Sequence, residues 1–121
     1  AIACRNVMSK REESSNNIVE IAKEYIKQNY SKSISLDEVS YYVNISPYYF
    51  SKLFKEGTGE NFIEYLTGIR IEKAKELLRV GEYSMKEICA MVGYSEPNYF
   101  SRSFKKHVGV TPTEFKDMEC R

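Results

Sequence analysis

Nine side chains in this 121-residue chain have types and spacing suited to hydrogen-bonding chemistry: Tyr48, Ser51, Lys52 and Lys55, then Asn98, Ser101, Arg102, Lys105 and Lys106. Within each set the steps of three and four residues belong to one face of a helix, at about 100° per residue. The groups are amines, a guanidinium, an amide and hydroxyls, and no carboxylate is among them. Such a face suits a surface rich in acceptors. The major groove of double-stranded DNA is one, and it is wide enough to admit a helix: Arg and Lys can pair with guanine O6/N7, Asn with adenine, and Ser with several base edges or phosphates. Catalytic chemistry has little to draw on. The single histidine, His107, has no Cys, Ser or carboxylate partner at a meaningful spacing. No Gly-rich loop supports a nucleotide site, and with one His and no Cys-x-x-Cys a structural zinc site lacks a ligand set. The reading is therefore of a chain that is not an enzyme and uses no cofactor.

The two sets lie in a repeat. Residues 49–59 read YFSKLFKEGTG and residues 99–109 read YFSRSFKKHVG, with six of eleven positions identical. On a helical wheel Phe50, Leu53 and Phe54 fall opposite the polar set of the first copy, and Phe100 and Phe104 do so in the second. The aromatic residues are assigned to the core and the polar face to solvent, with His107 extending the second face. The repeat is larger than these strings, because residues 35–65 and 84–115 both give a short capped helix, a tight turn, a second helix, a Gly and a further helix start. The turns hold Asn44 and Gly93, residue types that tolerate left-handed backbone, so a sharp helix-turn-helix bend is expected twice. Ser40 and Cys89 align inside the first helix of each pair, where a small side chain allows close packing.

Capping signals supply the punctuation. Asn17-x-x-Glu20, Ser35-x-x-Glu38, Asn61-x-x-Glu64, Ser84-x-x-Glu87 and Thr111-x-x-Glu114 have the capping-box pattern, and Ser46-Pro47 and Ser95-Glu96-Pro97 add two starts with Pro in the first turn. The expected fold is all-α, with helices at 17–30, 35–43, 47–56, 61–80, 84–92, 96–107 and 111–118. In the first of these, Ile18, Ile21, Ala22, Tyr25 and Ile26 mark the apolar face. Residues 1–16 are polar without a period and are read as a flexible leader from a missing N-terminal region. The rest, 17–121, divides into lobe one at 17–60, a long central helix at 61–80 and lobe two at 81–118. The central helix is apolar around much of its girth, so it is read as a strut shared by both lobes. About eighteen residues at 1.5 Å span roughly 27 Å. That is of the order of one DNA turn, which would let recognition helices 47–56 and 96–107 enter successive major grooves.

The net charge is +1 and 29% of residues are charged, which suits a globular chain without advertising a polyanionic partner. The position of the charge carries the argument instead, since acids such as Glu12, Glu13, Glu20, Glu24, Asp37, Glu38 and Glu72 stand away from the two faces. The longest run without charge, 39–51, contains Ser, Asn and Pro, so no membrane helix is expected. Cys4, Cys89 and Cys120 are an odd number at unrelated spacings, which fits a reducing cytoplasm better than a disulfide framework.

The strings YYFSKLFKEGTGENFIEYL, RIEKAKELL and SMKEICAMVGYSEPNYFSRSFKKHVGVTPTEF resemble the C-terminal DNA-binding domain of AraC-type (AraC/XylS) transcription regulators, over about residues 17–118. The resemblance implies seven helices in two helix-turn-helix lobes joined by a long helix. It implies promoter binding in a bacterial cytoplasm, most often activation through contact with RNA polymerase, and an attached N-terminal domain that senses or dimerises. It also implies that Tyr48, Ser51, Lys52, Asn98, Ser101 and Arg102 face the bases, and Arg70 is assigned an internal structural role. The chain departs from the family in carrying Phe115 and Lys116 where Tyr then Arg is usual, and Ser40 and Cys89 where Ala is usual. Two further classes compete with DNA reading. A helical module for an acidic protein partner would lack a steep salt slope on DNA, and RNA is disfavoured because the A-form major groove is too narrow for a helix.

Overall fold

The computed structural model describes residues 7–119, which form seven helices: α1 (Val7–Asn29), α2 (Leu36–Tyr42), α3 (Pro47–Thr58), α4 (Phe62–Val80), α5 (Met85–Met91), α6 (Pro97–Val108) and α7 (Pro112–Glu119). No strand occurs among the described residues. Six helices start within one residue of the expected position. The first does not. It begins ten residues before Asn17, so Asn17 lies inside a helix rather than capping one, and residues 7–16 are helical. Five of these ten residues, Met8, Lys10, Arg11, Glu12 and Glu13, are good helix formers, and a helix already nucleated downstream needs no apolar stripe to propagate. The remainder of the expected leader, with Cys4, and Cys120 at the other end lie outside the described residues.

The chain divides into two compact units, one holding residues up to 28 together with 34–63, the other holding 29–33 and everything from 64. In the first, the core is Val19, Ala22 and Ile26 of α1, Val39 and Ser40 of α2, Phe50 and Phe54 of α3, and Phe62. Val19 rather than Ile21 is the inward residue of α1, since Ile21 stays 40% exposed. Steps of three and four from Val19 also reach Ala22 and Ile26, so a face rotated slightly from the expected one is buried. In the second unit, Ile71, Ala74, Leu77 and Leu78 of α4 pack with Ile88 and Cys89 of α5, with Val92, Tyr94, Phe100 and Phe104, and with Phe115 of α7. Phe104 meets Phe100 and Phe115 edge-on, with ring centres 6.0 and 5.6 Å away. Phe115 is therefore a core residue.

Capping chemistry differs from helix to helix. At α5 and α7 the full reciprocal box forms. Ser84 Oγ accepts from Glu87 N at 3.1 Å while Glu87 accepts from Ser84 N at 2.8 Å, and Thr111 and Glu114 repeat this at 3.1 and 2.9 Å. The bond from the Thr111 backbone holds the Glu114 carboxyl below its ordinary pKa. At α2 only half of the pattern appears: Ser35 Oγ accepts from Glu38 N, but the Glu38 carboxylate accepts from the Tyr25 hydroxyl at 2.6 Å. That bond, ahead of partial burial, raises the Tyr25 pKa.

Candidate nucleic-acid interface

Each unit contains a helix pair joined by the same turn. In the first, Asn44 takes φ 63° between α2 and α3, and Ile45 N donates to Ser40 O at 3.1 Å. In the second, Gly93 takes φ 97° between α5 and α6, and Tyr94 N donates to Cys89 O at 3.0 Å. Ser40 and Cys89 are buried at the equivalent place, as their size suggested. Each spends its polar atom locally, Ser40 Oγ donating to Asp37 O at 2.9 Å and Cys89 Sγ to Tyr94 O at 3.3 Å. Burial pushes the Cys89 thiol pKa up, so it is held as a neutral packing group.

Gly93 answers to a second demand that Asn44 does not. A Cβ there would stand 2.7 Å from the Tyr30 carbonyl oxygen and 3.0 Å from Arg70 Nε, so only Gly admits the backbone following α1. Arg70 secures that backbone, donating from Nε to Tyr30 O at 2.8 Å and from Nη2 to Lys32 O at 2.9 Å, with its guanidinium 5.4 Å from the Tyr94 ring centre. Burial lowers its pKa, yet a guanidinium keeps its proton. The structural role read for Arg70 is the observed one.

The turn fixes the phase of the helix that follows. In α3, Phe50 and Phe54 are fully buried, while Tyr48 is 83% exposed and Ser51, Lys52 and Lys55 share a shallow depression with it. In α6, Phe100 and Phe104 are buried, and Asn98, Arg102, Lys105 and Lys106 are exposed with Ser101 half-buried beside them. The structure thus collects each predicted set on the outward side of its own helix. Ser46 caps α3 by accepting from Tyr49 N at 3.2 Å. In α6 the inserted Glu96 occupies the cap position and gives no side-chain bond, so Ser95 is displaced from it. Gly59 and Gly109 then end the two helices in left-handed conformation, their N–H groups returning to Lys55 O and Lys105 O.

Three details depart from the sequence reading. The α3 face is not free of acids, because Glu56 lines the same depression as Tyr48, Ser51, Lys52 and Lys55. One turn beyond Lys52 is a rotation of only about 40°, so Glu56 belongs on the face and was findable on the wheel. His107 leans on α4, with its Cε1 3.8 Å from where a Cβ on Gly68 would stand, and so is drawn off the outward α6 face. Tyr41, at the end of α2, is 84% exposed and was not singled out, because one Tyr in YY carries no phase information.

A family model described as a helix-turn-helix domain matches residues 39–118. The chain is 36% identical over 101 residues to the lactose operon transcription activator of Staphylococcus xylosus, covering 84% of this chain and 36% of that protein. Among solved structures, the C-terminal domain of AraT, a response regulator from Geobacillus stearothermophilus, superposes with a TM-score of 0.81 at 41% identity, covering 84% of each chain. This chain belongs to the AraC-type helix-turn-helix family. The DNA-binding domain of AdpA, solved in complex with a target DNA, shares the AraC-type fold with a TM-score of 0.79 at 18% identity, covering 83% of this chain and 90% of that one. The chain spans between 20% and 60% of the length of the curated relatives compared. No described helix of the AraC-type domain is long and apolar enough to cross a membrane.

Proposed function

We propose that this AraC-type domain reads promoter DNA in the bacterial cytoplasm through the outward faces of α3 and α6, each laid in a major groove. Tyr48, Ser51, Lys52 and Lys55 form one reading face. Asn98, Ser101, Arg102, Lys105 and Lys106 form the other. The observation that carries the reading is the repetition itself: two donor-rich faces, each presented by the second helix of a pair and each backed by the same Phe-x-x-x-Phe core contact. A solvated surface would not need that phase kept twice. Arg102 stands at the centre of its face and is assigned a guanine. The helix N-terminal residues Tyr48 and Asn98 are assigned to base edges, as in other helix-turn-helix pairs. The lysines are assigned to phosphates.

The domain acts by binding alone, without a catalytic step, and the regulatory outcome we favour is activation through RNA polymerase. What supports activation is the similarity to a regulator named as an activator. Selection of bound sequences from random DNA, followed by salt titration, tests the binding. The expected result is a site with two short elements whose spacing is read from the selected sequences. Its affinity should fall steeply with salt, by about 0.9 in log–log slope per phosphate contact. Equal affinity for all sequences would leave only an electrostatic binder. Transcription in vitro from a promoter carrying the selected site should rise on adding the protein, and a fall would assign repression instead.

A further inference from the structure

Glu56 is placed where an acid is costly twice over. It lies in the last turn of α3, whose C-cap is Gly59, so its carboxylate faces the negative end of the helix dipole. It also lines the depression shared by Tyr48, Ser51, Lys52 and Lys55, a surface that on the proposed reading meets phosphates. The second copy of the repeat has Lys106 at this position, fifty residues on. A residue serving only helix stability or general DNA affinity would be basic there, as Lys106 is.

A carboxylate offers acceptors and no donor. The phosphates of DNA are acceptors too, and the donors in the major groove are the amino groups of cytosine N4 and adenine N6. The adenine amine is flanked on both sides by acceptors, its own N7 and the paired thymine O4. The cytosine amine has an acceptor on one side only, the paired guanine O6. An approaching carboxylate is therefore repelled least at cytosine.

We propose that Glu56 is a specificity-determining residue of the first reading face, its carboxylate accepting from a cytosine N4 amino group. The proposal rests on the DNA-reading function above and adds a base identity to it. Glu56 thereby penalises every complex in which no amine is opposite α3, which favours one sequence at the expense of general affinity. Arg or Lys at this position would do the reverse.

The test is sequence selection with the full chain in three forms: parent, Glu56→Ala and Glu56→Gln. The parent should enrich cytosine at one position of one element. Glu56→Ala should lose that preference, by about fivefold or more in relative affinity, while every other position keeps its preference. Its affinity for random DNA should rise about threefold, because a carboxylate near phosphates has been removed. Glu56→Gln should move the preference from cytosine towards adenine, which an amide reads with one donor and one acceptor. Thermal unfolding of Glu56→Ala should match or exceed the parent's, since an acid has left a helix C-terminus. Identical preferences in parent and Glu56→Ala overturn the proposal alone. So does a uniform loss of preference with a lowered melting temperature, which would make Glu56 structural. A parent that enriches no sequence overturns the underlying DNA-reading proposal, and this one with it.

Discussion

Around its turn the first unit exposes Tyr41, Tyr42, Tyr48 and Tyr49, where the second has Ala90, Met91, Asn98 and Tyr99. The end of α3 carries Lys55, Glu56 and Gly57, and the end of α6 carries Lys105, Lys106 and His107. One backbone plan thus supports an aromatic face of mixed charge and a cationic face. The helix contacts at the edge of each unit show a matching exchange. In the first unit Gly57 admits Val19 of α1, whose Cγ2 would lie 3.0 Å from an added Cβ, and in the second His107 occupies the Gly57 position while Gly68 of α4 occupies that of Val19. Small against large has become large against small. The repeat preserves helix phase and turn geometry, and the residues between are free to differ so long as each contact keeps its volume.

The largest effects should come from what the units have in common. Phe54→Ala and Phe104→Ala each remove a fully buried ring from an equivalent site, and each should cost about 3–5 kcal/mol, measured by urea unfolding followed by circular dichroism. A loss below about 1 kcal/mol for either would mean that its ring is not the keystone the other is, and the equivalence of the two cores would fail.

The turns should then separate. Gly93→Ala brings a Cβ against the Tyr30 carbonyl at left-handed backbone, and should destabilise by about 2–4 kcal/mol from strain and overpacking together. Asn44→Gly, at φ 63° in the other turn, should stay within about 1 kcal/mol of the parent, because relief of the left-handed strain opposes the added chain entropy. The urea midpoints of the two variants check this contrast. A tolerated Gly93→Ala would show that the backbone after α1 can move away.

The smallest effect sharpens the size exchange. Gly68→Ala meets His107 at an ordinary contact distance, so the gain in helix propensity should stabilise by about 0.5–1 kcal/mol. Gly57→Ala meets Val19 at 3.0 Å and should fall short of that gain. Differential scanning calorimetry resolves shifts of this size. Equal stabilisation by both would mean that the α1–α3 approach is looser than the exchange requires.

Much of this is legible in the amino-acid sequence. The repeated Phe spacing set the inward side of α3 and α6, the polar spacing set the outward side, and Asn44 and Gly93 marked both turns. What escaped has identifiable causes. The extension of α1 to Val7 has no apolar period to announce it, and good helix formers alternate there with Ser, Asn and Val. The Ser95-Glu96-Pro97 string does not show which residue caps, and the extra residue relative to Ser46-Pro47 moves the cap to Glu96. Gly93 could be read as a turn residue, but its approach to Tyr30 depends on a segment more than sixty residues earlier, which no local pattern contains. The lean of His107 on Gly68 is of the same kind. The acid on the α3 face is of another kind: Glu56 stands only about 40° from Lys52 on the helical wheel, so the sequence holds that signal and the shared depression makes it plain.

The central claim, that the two outward faces read DNA separately, is tested most directly by sequence selection on two variants beside the parent: Tyr48→Ala/Lys52→Ala for α3 and Arg102→Ala for α6. All of the substituted residues are exposed, so melting temperatures should stay near the parent's. Each variant should lose preference in one element and keep it in the other, Arg102→Ala weakening its preferred site by about 1–3 kcal/mol with relaxed choice at a single base pair. A loss spread equally over all sequences, or both variants erasing the same element, would contradict the account.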